Sequence, residues 1–170
     1  DCLDVLAMGA VPRWISNNTT AISTFGAVLD RIGPCIVVTH SQGGYVALQA
    51  ASRRPGLVRA MVLIEPSGFL KPEQLPAMRD TACLFVYGDN LGATPLWRSL
   101  MRQAADFRQG LEQTGAHVQW WEMAQRGIHG NSHLLMMDNN SDDVADAIGA
   151  WLLEQAPKVP EANSVKPNPQ

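Results

Sequence analysis

The residues from His40 to Gly44 could do acyl-transfer chemistry. Their serine, Ser41, lies between an apolar run that ends at Thr39 and a helix-like stretch that begins at Tyr45. A strand, a sharp turn and a helix in this order lift a serine hydroxyl out of the end of a sheet, and they aim the N–H groups of the helix N-terminus at a developing oxyanion. The pattern predicts Ser41 as a nucleophile and the backbone N–H of Gln42 as an oxyanion donor.

The turn departs at one position from the usual G-x-S-x-G form. Thr39 occupies the place of the first glycine, whereas Gly43 occupies the place of the second. Gly43, with Gly44 behind it, still allows the helix to approach the strand closely. The alternative is a strand-to-helix turn in some other α/β protein, in which Ser41 only caps the helix.

A histidine must take the proton of such a serine hydroxyl. His133 follows the last apolar strand-like run and precedes the last helix, a position from which a side chain can reach over the end of a sheet to Ser41. His129, four residues earlier in the same loop, stays an alternative base. His40 is expected to point to the other side of its strand, and His117 begins a strand at the wrong end of the sheet.

Two carboxylates at strand ends could orient that histidine. Glu65 directly follows the apolar run of residues 61–64, where an unpaired carboxylate would be costly. Asp89 follows the next strand between Gly88 and Asn90, which makes it a typical turn residue. Because the longer glutamate side chain has the reach that the nearer strand requires, Glu65 is preferred as the acid and Asp89 is the alternative.

Bringing these residues together requires helices and strands that alternate along the chain. Apolar spacing with start and stop signals predicts the order helix, strand, helix, strand, strand, helix, strand, helix. The predicted helices are 21–32, 45–54, 96–114 and 142–152, and the predicted strands are 34–39, 58–64, 83–87 and 117–123. This order predicts an α/β fold, a mostly parallel sheet with helices on both faces. In such sheets, functional residues collect at the carboxyl ends of the strands.

Composition and charge argue against two classes of partner. The 170 residues are 46% hydrophobic and 17% charged, which is ordinary for one globular domain, and the net charge is −3. Because the sequence has no basic face, it predicts no nucleic-acid partner. No apolar stretch approaches the roughly 18 residues of a membrane-spanning helix.

Two features of the sequence concern the processing of the chain and its cellular location: its first residue and its cysteines. The chain begins with Asp1 and not with Met, which indicates a processed or truncated product, and a secreted or periplasmic location is preferred over a cytoplasmic one. Cys35 and Cys83 lie in apolar runs and are interpreted as small hydrophobic residues. Cys2 is either free or paired with a cysteine outside this chain.

Three motifs, taken together, resemble those of bacterial and fungal serine esterases with the α/β-hydrolase fold. Residues 39–44 are similar to T-H-S-Q-G/S-G, residues 64–66 to a glutamate directly after the next strand, and residues 130–133 to G-N-S-H. The similarity extends from about residue 17 to about residue 153. It implies cleavage of a small-molecule ester without metal or organic cofactor, by Ser41 as nucleophile, His133 as general base and Glu65 as its orienting acid.

The resemblance also implies strands that precede this chain. Such hydrolases have about eight strands, several of them before the nucleophile, whereas 40 residues precede Ser41 here. Residues 1–156 are expected to be the C-terminal portion of one α/β-hydrolase domain, and residues 157–170 a Pro-rich tail that is extended or disordered. We expect a second polypeptide, most simply the N-terminal part of the same precursor after cleavage before Asp1, to complete the sheet and supply the second oxyanion donor.

The sequence indicates the type of reaction more clearly than it indicates the substrate. Trp14, Phe69 and Trp97 could line an apolar acyl pocket, although packing is the more common role of such residues. An amide, lactone or thioester hydrolase of the same fold would use the same three residues. A non-catalytic binding subunit is the second alternative, which three intact motifs disfavour.

Overall fold

A parallel sheet of four strands forms the centre of the structure. The computed structural model describes residues 17–89 and 91–155. Within these residues, each neighbouring pair of strands is parallel, so that His40 lies beside Ile64 and Ile64 beside Val86. The strands lie side by side in chain order: β1 (Cys35–His40), β2 (Val58–Ile64), β3 (Ala82–Tyr87) and β4 (Val118–Glu122).

Helices precede, separate and follow these strands. The α-helices are α1 (Asn17–Ile32), α2 (Gln42–Ser52), α3 (Pro95–Gln113) and α4 (Ser141–Gln155). Short 3-10 helices span Pro72–Met78, Leu91–Ala93, Met123–Arg126 and Leu135–Met137. The order of helices and strands confirms the predicted α/β fold.

The helices cover both faces of the sheet. Successive side chains of a strand point to opposite faces, so a strand buried on both sides reads as a continuous apolar run. In β2, Met61 and Leu63 pack with α1, α2 and α3, whereas Val62 and Ile64 pack with α4 on the opposite face. The carboxyl ends of the strands are thereby held at one edge between two layers of helices.

The first helix begins earlier than the sequence predicts. The sequence predicts a helix that starts at residue 21, with the polar residues from Asn17 to Thr20 as its cap, but α1 begins at Asn17. The Oδ1 atom of Asn18 accepts a hydrogen bond of 3.0 Å from Nε2 of Gln42 at the start of α2. A contact between two helices therefore uses a side chain that local rules assign to a cap.

The two described cysteines behave as small hydrophobic residues. Cys83 in β3 is buried, and burial raises the pKa of its thiol to about 12. Cys35 in β1 is half-buried, and burial also raises its pKa. Both thiols are therefore poor sources of thiolate near neutral pH.

Some sequence-based expectations concern residues outside the described ranges. They are the pairing of Cys2, the role of Trp14 and the form of the tail at 157–170. In the described part of the chain, no helix combines the length and the apolar character needed to cross a membrane.

Two leucines with opposite burial test where the core lies. Leu48 of α2 is 0% exposed, whereas Leu153 of α4 is 74% exposed. Leu48→Ala should lower the free energy of unfolding by about 2–5 kcal/mol, because it leaves a cavity between α2 and the sheet. Leu153→Ala, the matched control with the same change of side chain, should alter it by no more than about 0.5 kcal/mol. Urea unfolding monitored by tryptophan fluorescence measures both, and equal losses would contradict this assignment of the core.

Candidate active site

Ser41 lies at a sharp turn between the end of β1 and the start of α2. Its φ of 52° and ψ of −121° are unusual for a residue with a side chain. Its N–H donates to the carbonyl of Ile64 at 2.9 Å, which continues the sheet, and its own carbonyl accepts from the N–H of Gly44 at 3.1 Å. The turn presents the serine side chain at the carboxyl edge of the sheet.

Close packing under this turn explains the glycine at position 44, whereas a Cβ atom on Gly43 would have no described atom within 4 Å. A Cβ atom on Gly44 would lie 3.2 Å from Cβ of Pro66 and 3.4 Å from Cδ2 of Leu63. Thr39, which replaces the usual first glycine, donates its hydroxyl to the carbonyl of Val62 at 2.9 Å. The departure from G-x-S-x-G is thus accommodated by a hydrogen bond to the neighbouring strand.

His133 lies between a serine and a carboxylate. Its Nε2 atom is 3.1 Å from Oγ of Ser41, and its Nδ1 atom is 2.6 Å from Oε2 of Glu65. A carboxylate only accepts, so Nδ1 carries the hydrogen and donates it to Glu65. In the neutral ring, Nε2 is then the acceptor for the hydroxyl of Ser41. This arrangement can remove a proton from Ser41 and hold the resulting imidazolium beside a negative charge.

Glu65 is fully buried directly after β2. It is 0% exposed, and its φ of 42° turns it out of the strand. Oε1 accepts from the backbone N–H of Gly88 at 2.8 Å, while Oε2 faces His133. Its N–H donates to the carbonyl of Val86 at 2.9 Å. Both carboxylate oxygens therefore have partners, as a buried carboxylate requires.

Asp89 contacts the main chain of the histidine loop. Its Oδ2 atom accepts from the N–H of Gly130 at 2.8 Å, and its own N–H donates to the carbonyl of Asn131 at 3.3 Å. The structure therefore brings Glu65 to the imidazole of His133 and brings Asp89 to the loop that carries it.

His129, the alternative base, is exposed at the start of this loop. Its carbonyl accepts from Nδ2 of Asn140 at 2.8 Å. The neighbouring Asn131 is 2% exposed and donates from Nδ2 to Oδ1 of Asn140 at 2.8 Å. Spacing alone did not separate His129 from His133, whereas the fold directs only the ring of His133 to Ser41.

A second group of hydrogen bonds holds the residue before His133. The N–H and the hydroxyl of Ser132 donate to the two oxygens of Asp138 at 2.7 and 2.9 Å. The N–H of Leu134 in turn donates to the Ser132 hydroxyl at 3.0 Å. Sequence reasoning missed this support, although Ser and Asp are residues that commonly form such local turns.

Gly88 is a further residue that sequence reasoning missed. A Cβ atom at this position would lie 2.9 Å from Cβ of Asn131, 3.1 Å from Oε1 of Glu65 and 3.2 Å from the carbonyl of Ser132. Only a residue without a side chain lets the end of β3 approach both the carboxylate and the histidine loop. A glycine directly after a predicted strand was the available signal.

The expectation that His40 points away from the site was wrong. Its ring centroid is 4.5 Å from that of His133, and its Nε2 atom is 2.7 Å from the carbonyl oxygen of His133. His40 pairs with Ile64, whose side chain lies on the face covered by α4. The loop that leads to α4 passes over this face, so it meets His40 there.

The aromatic residues expected in an acyl pocket have different surroundings. The Phe69 ring packs against Phe107 of α3, with centroids 5.2 Å apart, whereas the Trp97 ring lies 4.7 Å from that of His133. A cavity of about 550 Å³ opens nearby between Asp89 and α3, lined also by Met101. Trp97 thus contacts the ring of His133, and Phe69 packs against α3.

Gln42, the expected oxyanion donor, is the first residue of α2. Its backbone N–H belongs to the helix N-terminus beside Ser41, where N–H groups are free of partners within the helix. Its side chain is held by Asn18.

Comparison with known proteins gives relatives that are lipases and esterases. The probable secreted lipase phiG of Fungal sp. (strain ATCC 74256) is 27% identical over 188 positions, which cover 82% of this chain and 50% of the lipase. Lipase LipV of Mycobacterium tuberculosis is 43% identical over 60 residues, 34% of this chain and 22% of LipV. The solved structure of a novel bacterial esterase matches with a TM-score of 0.74 and 28% identity, over 79% of this chain and 42% of that chain.

The chain spans about half the length of the secreted lipase that it matches. The family model of the alpha/beta hydrolases matches residues 2–167, almost the whole chain. The parallel sheet with helices on both faces is consistent with that match. This chain belongs to the alpha/beta hydrolase family.

Proposed function

We propose that this protein hydrolyses carboxylic esters with Ser41 as nucleophile, His133 as general base and Glu65 as orienting acid. The observation that carries the proposal is the continuous chain of contacts from Ser41 Oγ to His133 at 3.1 Å and from His133 to Glu65 at 2.6 Å. The resemblance of the chain to two lipases and an esterase supports an ester as substrate.

In the first step, Ser41 Oγ attacks the ester carbonyl carbon while His133 Nε2 accepts the serine proton. Negative charge develops on the carbonyl oxygen, and positive charge develops on the imidazole. The N–H of Gln42 and the positive end of α2 stabilise the oxyanion, and the buried Glu65 carboxylate stabilises the imidazolium. Both charges thus meet groups that the fold already holds in place.

In the second step, the imidazolium of His133 gives its proton to the alcohol oxygen as the carbon–oxygen bond breaks. The acyl group remains as an ester of Ser41. A water molecule then attacks this ester while His133 accepts its proton. The bond between the acyl carbon and Ser41 Oγ breaks, His133 returns the proton to Oγ, and the acid product leaves.

The surroundings of the two carboxylates support Glu65 as the acid. Glu65 is fully buried and bonds the imidazole directly. Asp89 bonds the backbone N–H of Gly130, three residues before His133. Its proposed part is therefore to hold the loop.

The edge of β1 supports a further strand-forming segment. Among the described strands, β1 pairs only with β2, and Val38 in β1 is 52% exposed. The nearby helix α1 exposes Val28 by 45% and Ile32 by 59%. Unpaired strand edges with exposed apolar residues are usually covered in native proteins. We infer that an N-terminal partner chain, or an N-terminal segment of a longer chain, pairs here and brings the second oxyanion donor.

Labelling with a fluorophosphonate tests the nucleophile and the base. The probe should modify Ser41, and Ser41→Ala should abolish labelling because it removes the hydroxyl that faces Nε2 of His133. His133→Ala should slow labelling by roughly three orders of magnitude, because the hydroxyl loses its base. Labelling followed by peptide mass spectrometry measures both.

Two exposed residues serve as matched controls for this labelling. Ser23→Ala on α1 and His129→Ala should leave the labelling rate within about twofold of the wild type, as is typical of exposed sites. Labelling lost in His129→Ala but kept in His133→Ala would contradict the assigned base. A fully assembled protein that resists the probe would favour a binding subunit, and preference for amides, lactones or thioesters in a substrate panel would change the reaction class.

Two amide substitutions test the acid. Glu65→Gln should lower kcat by roughly 10³- to 10⁴-fold, because the introduced amide no longer stabilises the imidazolium or selects its tautomer. Asp89→Asn should lower it by less than about tenfold, because its amide oxygen can still accept the N–H of Gly130. Hydrolysis of p-nitrophenyl acetate, with thermal unfolding to check the fold, measures both. A larger loss for Asp89→Asn would exchange the two roles.

Native mass spectrometry of the active protein tests the partner at the β1 edge. The active species should contain either a second polypeptide or a longer chain that includes additional N-terminal residues, since an exposed edge alone lacks the second oxyanion donor. An active monomer with the mass of these 170 residues would refute this inference.

A further inference from the structure

The imidazole of His133 contacts two other aromatic rings. The first is that of His40, the last residue of β1, with ring centroids 4.5 Å apart and planes inclined by 41°. The second is that of Trp97, in the first turn of α3, with centroids 4.7 Å apart and planes inclined by 54°. These rings restrict rotation of the imidazole, whose side chain is 36% exposed.

His40 also bonds the main chain of His133. Its Nε2 atom is 2.7 Å from the carbonyl oxygen of His133, and the two residues are 93 positions apart in the chain. A carbonyl oxygen only accepts, so Nε2 of His40 carries the hydrogen. That hydrogen is present both in the neutral tautomer that makes this bond and in the imidazolium, so protonation of His40 preserves the bond.

The bond joins the base to the residue directly before the nucleophile. His133 must bond Ser41 through one ring nitrogen and Glu65 through the other. A small shift of the ring would lengthen one of these hydrogen bonds and slow proton transfer. The support from Asp138 acts on the residue before His133. The bond from His40 acts on His133 itself, so it fixes the point from which the imidazole extends.

We propose that His40 is a positioning residue of the active site, which holds His133 through the hydrogen bond from its Nε2 to the His133 carbonyl. This inference rests on the proposed ester hydrolysis, for which it adds a residue outside the catalytic three. His40 acts mainly through the N–H donor at Nε2, and its ring also packs against the imidazole of His133.

Two substitutions separate the donor from the ring. His40→Phe keeps a ring but removes the donor, whereas His40→Gln keeps an N–H donor at a similar distance from the main chain. His40→Phe should lower kcat for p-nitrophenyl acetate by about 10- to 100-fold with little change in KM, because the base is misplaced while the binding surface remains. His40→Gln should recover most of this loss and stay within about fivefold of the wild type.

His117→Phe is the matched control. This histidine is exposed at the other end of the sheet, before β4, so the same replacement should leave kcat within about twofold. Thermal unfolding of all three variants checks that they fold. Unchanged kcat in His40→Phe would overturn the proposal, and so would a loss in folded His40→Gln as large as in His40→Phe.

Proton NMR provides a measurement that does not require activity. The hydrogen between His133 Nδ1 and Glu65 should give a strongly downfield signal, because the two atoms are only 2.6 Å apart. His40→Gln and His117→Phe should show the same signal as the wild type, whereas in His40→Phe it should broaden or shift upfield. An unchanged signal in His40→Phe overturns the positioning role even if the wild type is inactive. Absence of fluorophosphonate labelling in the fully assembled wild type instead refutes the proposed function alone.

Discussion

The buried carboxylate of Glu65 is the interaction on which the rest of the site depends. The residue is 0% exposed, and such a carboxylate is costly unless its oxygens are paired. Its two partners are the backbone N–H of Gly88 and the ring N–H of His133. One buried group therefore joins the end of β2 to the end of β3 and to the loop before α4. The absence of a side chain at Gly88 follows from the same close approach.

Backbone strain places the serine and the carboxylate toward each other. Ser41 and Glu65 are the non-glycine residues with positive φ in the described part of the chain, and each directly follows one of two neighbouring parallel strands. Such conformations cost on the order of 1–3 kcal/mol each and persist only where the surroundings enforce them. Here the sheet enforces them, because the N–H of each residue donates to the next strand, to Ile64 and to Val86. The positive φ angles thus direct both side chains away from their strands and toward His133.

The sequence predicts some features of this fold correctly and misses others. Apolar runs such as residues 58–64 indicate buried strands because a fully covered parallel strand has no polar face. Glu65 directly follows such a run, where a carboxylate without a partner is costly, and it bonds the ring of His133, whereas Asp89 bonds the backbone N–H of Gly130. By contrast, the start of α1 at Asn17 was missed because Asn18 bonds Gln42 of another helix instead of capping its own.

The order of helices and strands follows from the sequence, and with it the positions of Ser41 and Glu65 at strand ends and of His133 in the loop before the last helix. This is so because periodic burial and turn residues act over a few neighbours, and because parallel strands place their carboxyl ends at one edge. The contacts of His40 and Trp97 with the ring of His133 come from the tertiary structure alone. Those contacts depend on the path that the loop before α4 takes across the sheet. Residues far apart in the chain define this path together, so no local sequence pattern predicts it.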